Sequence, residues 1–302
     1  MNNDSPGPSI VVARRYGQLG NRLFLYAHLI GAACEYRSTV YNPCFSEYAK
    51  LFPAIADDLW CRYPAVPIDS PKPSQRKRDL LHQSIYLGTR ALSMLGLSRY
   101  PYSIVRLKGS QECDLEGVQF RSLIQRKRTI LAQGWLFRSD TLLSKYGNQI
   151  RTHFQVQPQH RANVDSVISK LRETADVVVG VHIRHGDYKT FLGGKYFFSV
   201  AEYANVMRSI QQQLQGQRVA FLVCSNAKIS PGDFEGLDVR DGPGHLVEDM
   251  YSFAECDVLI GPPSTYTGWA SFYGRVPLSV MESTNHQIDV PALLRSGQRH
   301  AA

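Results

Sequence analysis

The sequence predicts an α/β protein of two domains, and three features carry that prediction. The chain is 302 residues long, which is roughly two domains at about 100 to 200 residues each. Its second half alternates apolar strand-like runs with helix-like stretches, the pattern of a parallel sheet covered by helices. Within that half ADVVVGVHI, residues 175–183, is apolar almost without a break, as strands buried on both faces are. With 43% hydrophobic and 20% charged residues, the composition excludes a disordered or collagen-like chain.

Residues 9–36, SIVVARRYGQLGNRLFLYAHLIGAACEY, run from a β-branched stretch through a glycine turn into a long apolar stretch: a strand, a loop and a buried helix. STVYNP (38–43) adds a second strand, making the opening a βαβ unit. Residues 62–78, RYPAVPIDSPKPSQRKR, are rich in proline and basic charge and are predicted to be an exposed loop. Helical spacing returns over 79–97, TILAQGWLF (129–137) reads as one strand, and 140–150 as one helix.

A polar helix over about 158–174 leads into the apolar strand, so the boundary falls there, with domains 1–157 and 158–302. Ser199 and Glu202 form a capping box; Tyr203, Met207, Ile210 and Leu214 share one face, and Gly216 ends the helix. VAFLVCS, a helix over 248–255, CDVLIG, a helix from near Ser264, VPLSVM and a short polar tail complete the second domain.

Net charge is +8, from 34 basic and 26 acidic residues. That favours a nucleotide, a phosphorylated substrate, nucleic acid or an acidic membrane surface without choosing among them. The six cysteines, at 34, 44, 61, 113, 224 and 256, include no pair two residues apart and are expected to be free, mostly buried thiols. No apolar run reaches the roughly 20 residues of a membrane span, and the start MNNDSPGPS lacks the features of a secretory signal. The expected location is cytoplasmic.

In parallel sheets ligands collect beyond the carboxyl ends of the strands, which directs attention to the residues just after VVVGVHI, VAFLVC and DVLIG. HIRHGDY (182–188) places Arg184, whose planar fork can hold two phosphate oxygens, at such an end. An Arg184 to Asp187 ion pair fixing a turn fits the same spacing. In GPPSTYTGW (261–269) two prolines stop the strand, and Ser264 and Thr265 open a helix whose free N–H groups suit a diphosphate. Ser264 alone reads equally well as a plain N-cap. In GQLGN, Gly17 and Gly20 let a ligand approach the backbone closely, but the spacing is not the dinucleotide fingerprint GxGxxG, and Asn21 fits a helix N-cap as well.

Taken together, GQLGNRLFLYA (17–27), QGWLFRS (133–139), HIRHGDY (182–188) and EDMYSFAECDVLIGPPSTYTGWASF (248–272) resemble the ordered motifs of the bacterial-type α-1,2-fucosyltransferases, relatives of the α-1,6- and protein O-fucosyltransferases. The resemblance spans about 260 residues, and four motifs in order are far more specific than any one. It implies a GT-B fold: two Rossmann-like domains facing a cleft, with the glycan acceptor on the N-terminal side and GDP-fucose on the parallel α/β donor sheet. It also implies inversion at the sugar carbon without a metal or other cofactor, and the chain contains no Asp-x-Asp motif.

Matched residue by residue, the resemblance implies that Arg184 contacts the β-phosphate with Asp187 orienting it. His182 and Asp249 would contact guanine, Ser264 and Thr265 the phosphates, and Gly17, Gly20 and Asn21 would line the cleft. A carboxylate suits guanine, which offers two neighbouring N–H donors on one edge. Two positions depart from the family pattern, which has a second arginine where His185 stands and an acidic residue after the VAFLVC strand, where Ser225 and Asn226 stand. All three are carried as donor-side residues, and the departures leave room for a related GT-B transferase using another nucleotide sugar. The rival from another class is a non-catalytic nucleotide- or nucleic-acid-binding protein, supported by the net charge and the QRKR cluster. No nucleic-acid-binding motif accompanies them, so no nucleic-acid partner is expected. The basic stretch from Pro71 to Arg78 is expected to touch an anionic membrane or a lipid-linked carrier peripherally, at the inner face of the membrane.

Overall fold

The computed structural model describes residues 6–69, 71–227, 229–283 and 287–301. The chain divides into two α/β units, residues 1–157 and 158–302. In the first, β1 (Ser9–Val12) leads to α1 (Leu19–Tyr36), and β2 (Thr39–Tyr41) pairs parallel to β1 with Ile10 opposite Val40. α1 is buried along most of its length, from Leu19 to Ala33, as its apolar, small-residue sequence requires of a core helix. Then come α2 (Pro53–Ala56), β3 (Arg62–Tyr63), α3 (Gln75–Met94), β4 (Ser103–Arg106), β5 (Cys113–Asp114), α4 (Val118–Gln125), β6 (Ile130–Gln133), β7 (Phe137–Arg138), α5 (Asp140–Lys145) and α6 (Gly147–His153). The sheet order is β3, β2, β1, β6, β4, parallel apart from β3, while β5 and β7 form a separate parallel pair.

Three expectations for this unit are corrected. Residues 75–78 are the first turn of α3, not a loop. Pro71 and Pro73 halt the chain before Ser74, whose side chain caps the Lys77 N–H, and the following Gln, Arg and Lys are good helix formers. Arg78 in particular is buried, donating to the carbonyls of Asp58 at 2.8 Å and Ala56 at 2.5 Å. Ser70, inside the predicted loop, lies outside the described residues, as do the first five residues of the polar start. The expected strand 129–137 is two strands in two sheets: after Gln133 accepts from the Leu107 N–H, the chain exchanges β4 for β5, with Cys113 N–H donating to Leu136. The expected helix 140–150 breaks at Tyr146, whose hydroxyl is drawn to Glu35 together with Lys145, just before the weak helix former Gly147.

The second unit begins with α7 (Pro158–Thr174), followed by β8 (Val177–Ile183), α8 (Val200–Gln213), β9 (Val219–Ser225), β10 (Asp238–Asp241), α9 (Leu246–Phe253), β11 (Val258–Gly261), α10 (Thr265–Gly274), β12 (Leu278–Val280) and α11 (Val290–Ala301). All pairings are parallel in the order β10, β9, β8, β11, β12, and every residue of β8 is buried. The predicted capping box of α8 is present, and Tyr203, Met207, Ile210 and Leu214 pack onto the sheet. Burying side chains of this size stabilises by ~1.5–3 kcal/mol each. The segment expected to be a short polar tail is helical as α11, whose Val290, Leu293 and Leu294 share a face that joins this core. Ala302 lies outside the described residues.

The sheet runs outward from β8 in both directions, through β9 to β10 and through β11 to β12. The order reverses between β8 and β11, which puts a crevice beyond their carboxyl ends. All six cysteines are free; burial pushes the Cys44 and Cys61 thiols up to about 12, so they stay protonated. Among the described residues, no helix is long and apolar enough to cross a membrane.

Candidate functional site

The crevice of the second unit collects most of the residues singled out by sequence. As β8 ends, Arg184 turns back onto Asp187, with Nε and Nη2 donating at 3.1 and 3.2 Å. Its guanidinium also lies over the Tyr188 ring, 5.3 Å from the centroid. The ion pair that the spacing of HIRHGDY allowed is present, and Nη1 takes no part in it. Tyr188 in turn donates its hydroxyl to the Pro263 carbonyl at 2.5 Å, which fastens this turn to the loop leaving β11.

That loop delivers Ser264 as the N-cap of α10, its hydroxyl accepting from the Tyr266 N–H at 3.1 Å, with Thr265 as the first helical residue. A capped helix start adjoining a cationic side chain is an anion site in electrostatic terms. His182 is buried on β8 beside the Tyr266 and Phe253 rings, at centroid distances of 5.1 and 6.0 Å. Its Nδ1 has no partner among the described residues. Burial, reinforced by the Arg184 charge, lowers its pKa to about 3, so the ring is neutral at physiological pH. Tyr266 donates to the Leu246 carbonyl at 2.7 Å and so links α10 to α9, which carries Asp249. One oxygen of the Asp249 carboxylate accepts from the Gly244 N–H at 2.8 Å, and burial raises its pKa above the usual carboxylate value.

Three residues expected on the donor side are engaged with the protein itself. Asn226 accepts from the His185 N–H at 2.7 Å, Ser225 donates to the Ile183 carbonyl and accepts from Ala227, and His185 Nε2 lies 2.8 Å from the Phe198 carbonyl. They stitch the β8 and β9 loops together at the edge of the crevice.

Gly17, Gly20 and Asn21 belong to the first unit, after β1. Gly17 has φ 58°, and a Cβ there would lie 2.0 Å from Asn21 Nδ2, so only glycine fits. Gln18 is the N-cap and Asn21 sits inside the first turn of α1, which removes the N-cap reading of Asn21.

Sequence reasoning missed a further cluster. His160 of α7, His245 and Glu248 bring three ligand atoms within 4.8 Å of one another. His160 Nδ1 is 2.7 Å from Glu248, Asn163 donates to the same oxygen at 2.8 Å, and the two histidine rings stack at 4.7 Å. The group can hold a divalent cation, and as it stands its bonds tie α7 to the start of α9. No motif spacing announces it, because 85 residues separate His160 from His245.

Two α/β units, the second an all-parallel sheet whose strand order reverses between β8 and β11, give the chain a fold of the GT-B class. No family model and no curated protein matches this sequence. Among solved structures the fold is shared with fucosyltransferases. An Arabidopsis thaliana FUT1 mutant in complex with GDP superposes with a TM-score of 0.58 at 14% identity, covering 94% of this chain and 73% of that one. Fucosyltransferase NodZ from Bradyrhizobium gives 0.54 at 16% identity, covering 94% and 98%. NodZ α-1,6-fucosyltransferase co-crystallized with GDP also gives 0.54 at 16%, covering 93% and 97%.

Proposed function

We propose that the protein is an inverting fucosyltransferase that moves L-fucose from GDP-fucose to a glycan hydroxyl, in α-1,2 linkage, during synthesis of a cell-surface polysaccharide or oligosaccharide in the cytoplasm. The observation that carries this reading is the joining of three elements at the carboxyl ends of β8 and β11: Tyr188, beside Arg184, bonds to Pro263 before the α10 start, and Tyr266 of α10 bonds to Leu246 of α9, the helix that carries the half-buried Asp249. The HIRHGDY motif and the shared fold support it.

In this reading Asp249 accepts from the two neighbouring N–H groups of guanine, and the unpartnered His182 Nδ1 completes the base contact. Arg184, held by Asp187, and the N–H groups at Ser264 and Thr265 take the diphosphate. The acceptor oxygen attacks the fucose carbon as its bond to the β-phosphate oxygen breaks. The hydroxyl proton goes to a base, and the departing GDP takes the bonding electron pair. Negative charge grows on that phosphate, so Arg184 binds the transition state more tightly than the ground state. No metal step is needed with the charge met in this way.

The test is thermal melting with GDP, UDP, ADP and CMP, since a ligand that binds only the folded chain raises the melting temperature. GDP should give the largest shift. Equal shifts with all four would refute the guanine assignment.

A further inference from the structure

The charge of the chain is not spread evenly. Residues 71–111 contain eight Lys and Arg against one acid, Asp79, and so hold seven of the eight net positive charges. Asp79 is paired with Arg15 at 2.8 Å, and Lys72 with Asp57 at 3.4 Å. Most of this segment is α3 and the turn after it.

α3 has apolar residues on both sides. Its inner face packs on the sheet through Ile85 and Leu92. Its outer face exposes Leu80, Leu87 and Met94, seven residues apart and therefore on one line, with the small Ser84 and Ala91 between them. Met94 is 78% exposed, and the stripe continues through Leu95, 73% exposed, and Tyr100, 66% exposed. Arg76 and Arg90 flank one side and Lys77 the other, all exposed, while Arg128 lies over the Tyr100 ring at 4.9 Å. An apolar stripe of this length with basic shoulders is costly in water and suited to the boundary between headgroups and acyl chains.

We infer that the outer face of α3 and the turn through Tyr100 dock on the anionic leaflet of a lipid bilayer. Charge selects this occupant. A second copy would bring two strongly positive faces together, whereas an anionic leaflet meets the basic shoulders while the acyl boundary takes Leu80, Leu87, Met94 and Leu95. This moves the contact expected at Pro71 to Arg78: Arg78 is buried, and the apolar part lies further along the helix.

The test is flotation of the full chain with vesicles of phosphatidylcholine alone and of phosphatidylcholine mixed with phosphatidylglycerol, which supplies the negative surface potential. Binding should need the anionic lipid and weaken in about 0.5 M salt. Leu87→Glu with Met94→Glu should lower it about tenfold or more. Arg76→Ala, Lys77→Ala and Arg90→Ala should each lower it about fivefold. All five side chains are exposed, so the melting temperature should not move. Three outcomes would overturn the inference: equal binding to neutral vesicles, binding that Leu87→Glu with Met94→Glu leaves intact, or a dimer of the free chain that this double substitution dissolves. The assay needs no donor, so it stands apart from the outcome with GDP.

Discussion

Arg184 is gripped by Asp187 along one edge and by the Tyr188 ring on its face, so its position is set before any ligand arrives. Preorganised charge of this kind costs no rearrangement as the leaving group forms. Arg184→Lys keeps the charge but loses both the fork and the bond to Asp187, and should lower kcat with GDP-fucose about a hundredfold, by analogy with loss of one oxyanion donor. Asp187→Asn should lower kcat less, because it loosens the fork without removing it. If Arg184→Lys turned over at the wild-type rate with an unchanged melting temperature, the arginine would only be fixing the turn. The positions of Arg184 just past the end of β8 and of Ser264 at the start of α10 were legible in sequence because a strand end and a helix start announce themselves by local pattern. The engagement of Ser225, Asn226 and His185 was not. Each bonds across a gap between strands or loops, and pairing across a sheet leaves no local trace.

At the scale of elements, the site depends on how closely α9 and α10 approach, since each carries part of it. Gly274, at the end of α10, makes that approach: a Cβ there would lie 2.0 Å from the Ala254 carbonyl oxygen, just past the end of α9. Backbone cannot give way as a side-chain tip can, so Gly274→Ala should destabilise by ~1–3 kcal/mol or more. A drop in the urea midpoint with weaker GDP binding is expected; an unchanged midpoint would mean the helices are free to part. The second unit was legible almost element by element because β8, β9 and β11 are uninterrupted apolar runs and α8 carries a complete cap. The first unit was harder to read for a physical reason. β3, β5 and β7 are two residues long, too short for alternation to register, and α3 begins in a basic stretch whose composition resembles a loop.

On the scale of the whole molecule, four histidines whose pKa values are lowered, His28, His82, His153 and His182, couple folding to pH. Burial lowers His182 to about 3 and lowers both His28 and His153 to about 4, against about 6.5 for an unfolded histidine. Between these values the unfolded chain binds protons that the folded chain refuses. Stability is therefore complete above pH 6.5 and falls as the pH drops towards 4, by up to ~1.4 kcal/mol per pH unit for each ring. The losses of the separate rings add, all in the same direction. Asp249, raised by burial, works in the opposite direction, but it is one group against four. Asp176, held down to about 2 by Arg218, loses its contribution only at lower pH. His153 packs its ring edge-to-face against Tyr26 and Tyr63, so His153→Phe keeps the aromatic packing and deletes one titration. The urea midpoint of the wild type should fall from pH 7 to pH 5, and that of His153→Phe should fall less over the same range. A midpoint that stays level across this range would show that the histidines are charged in the fold and that the packing around them is looser than described.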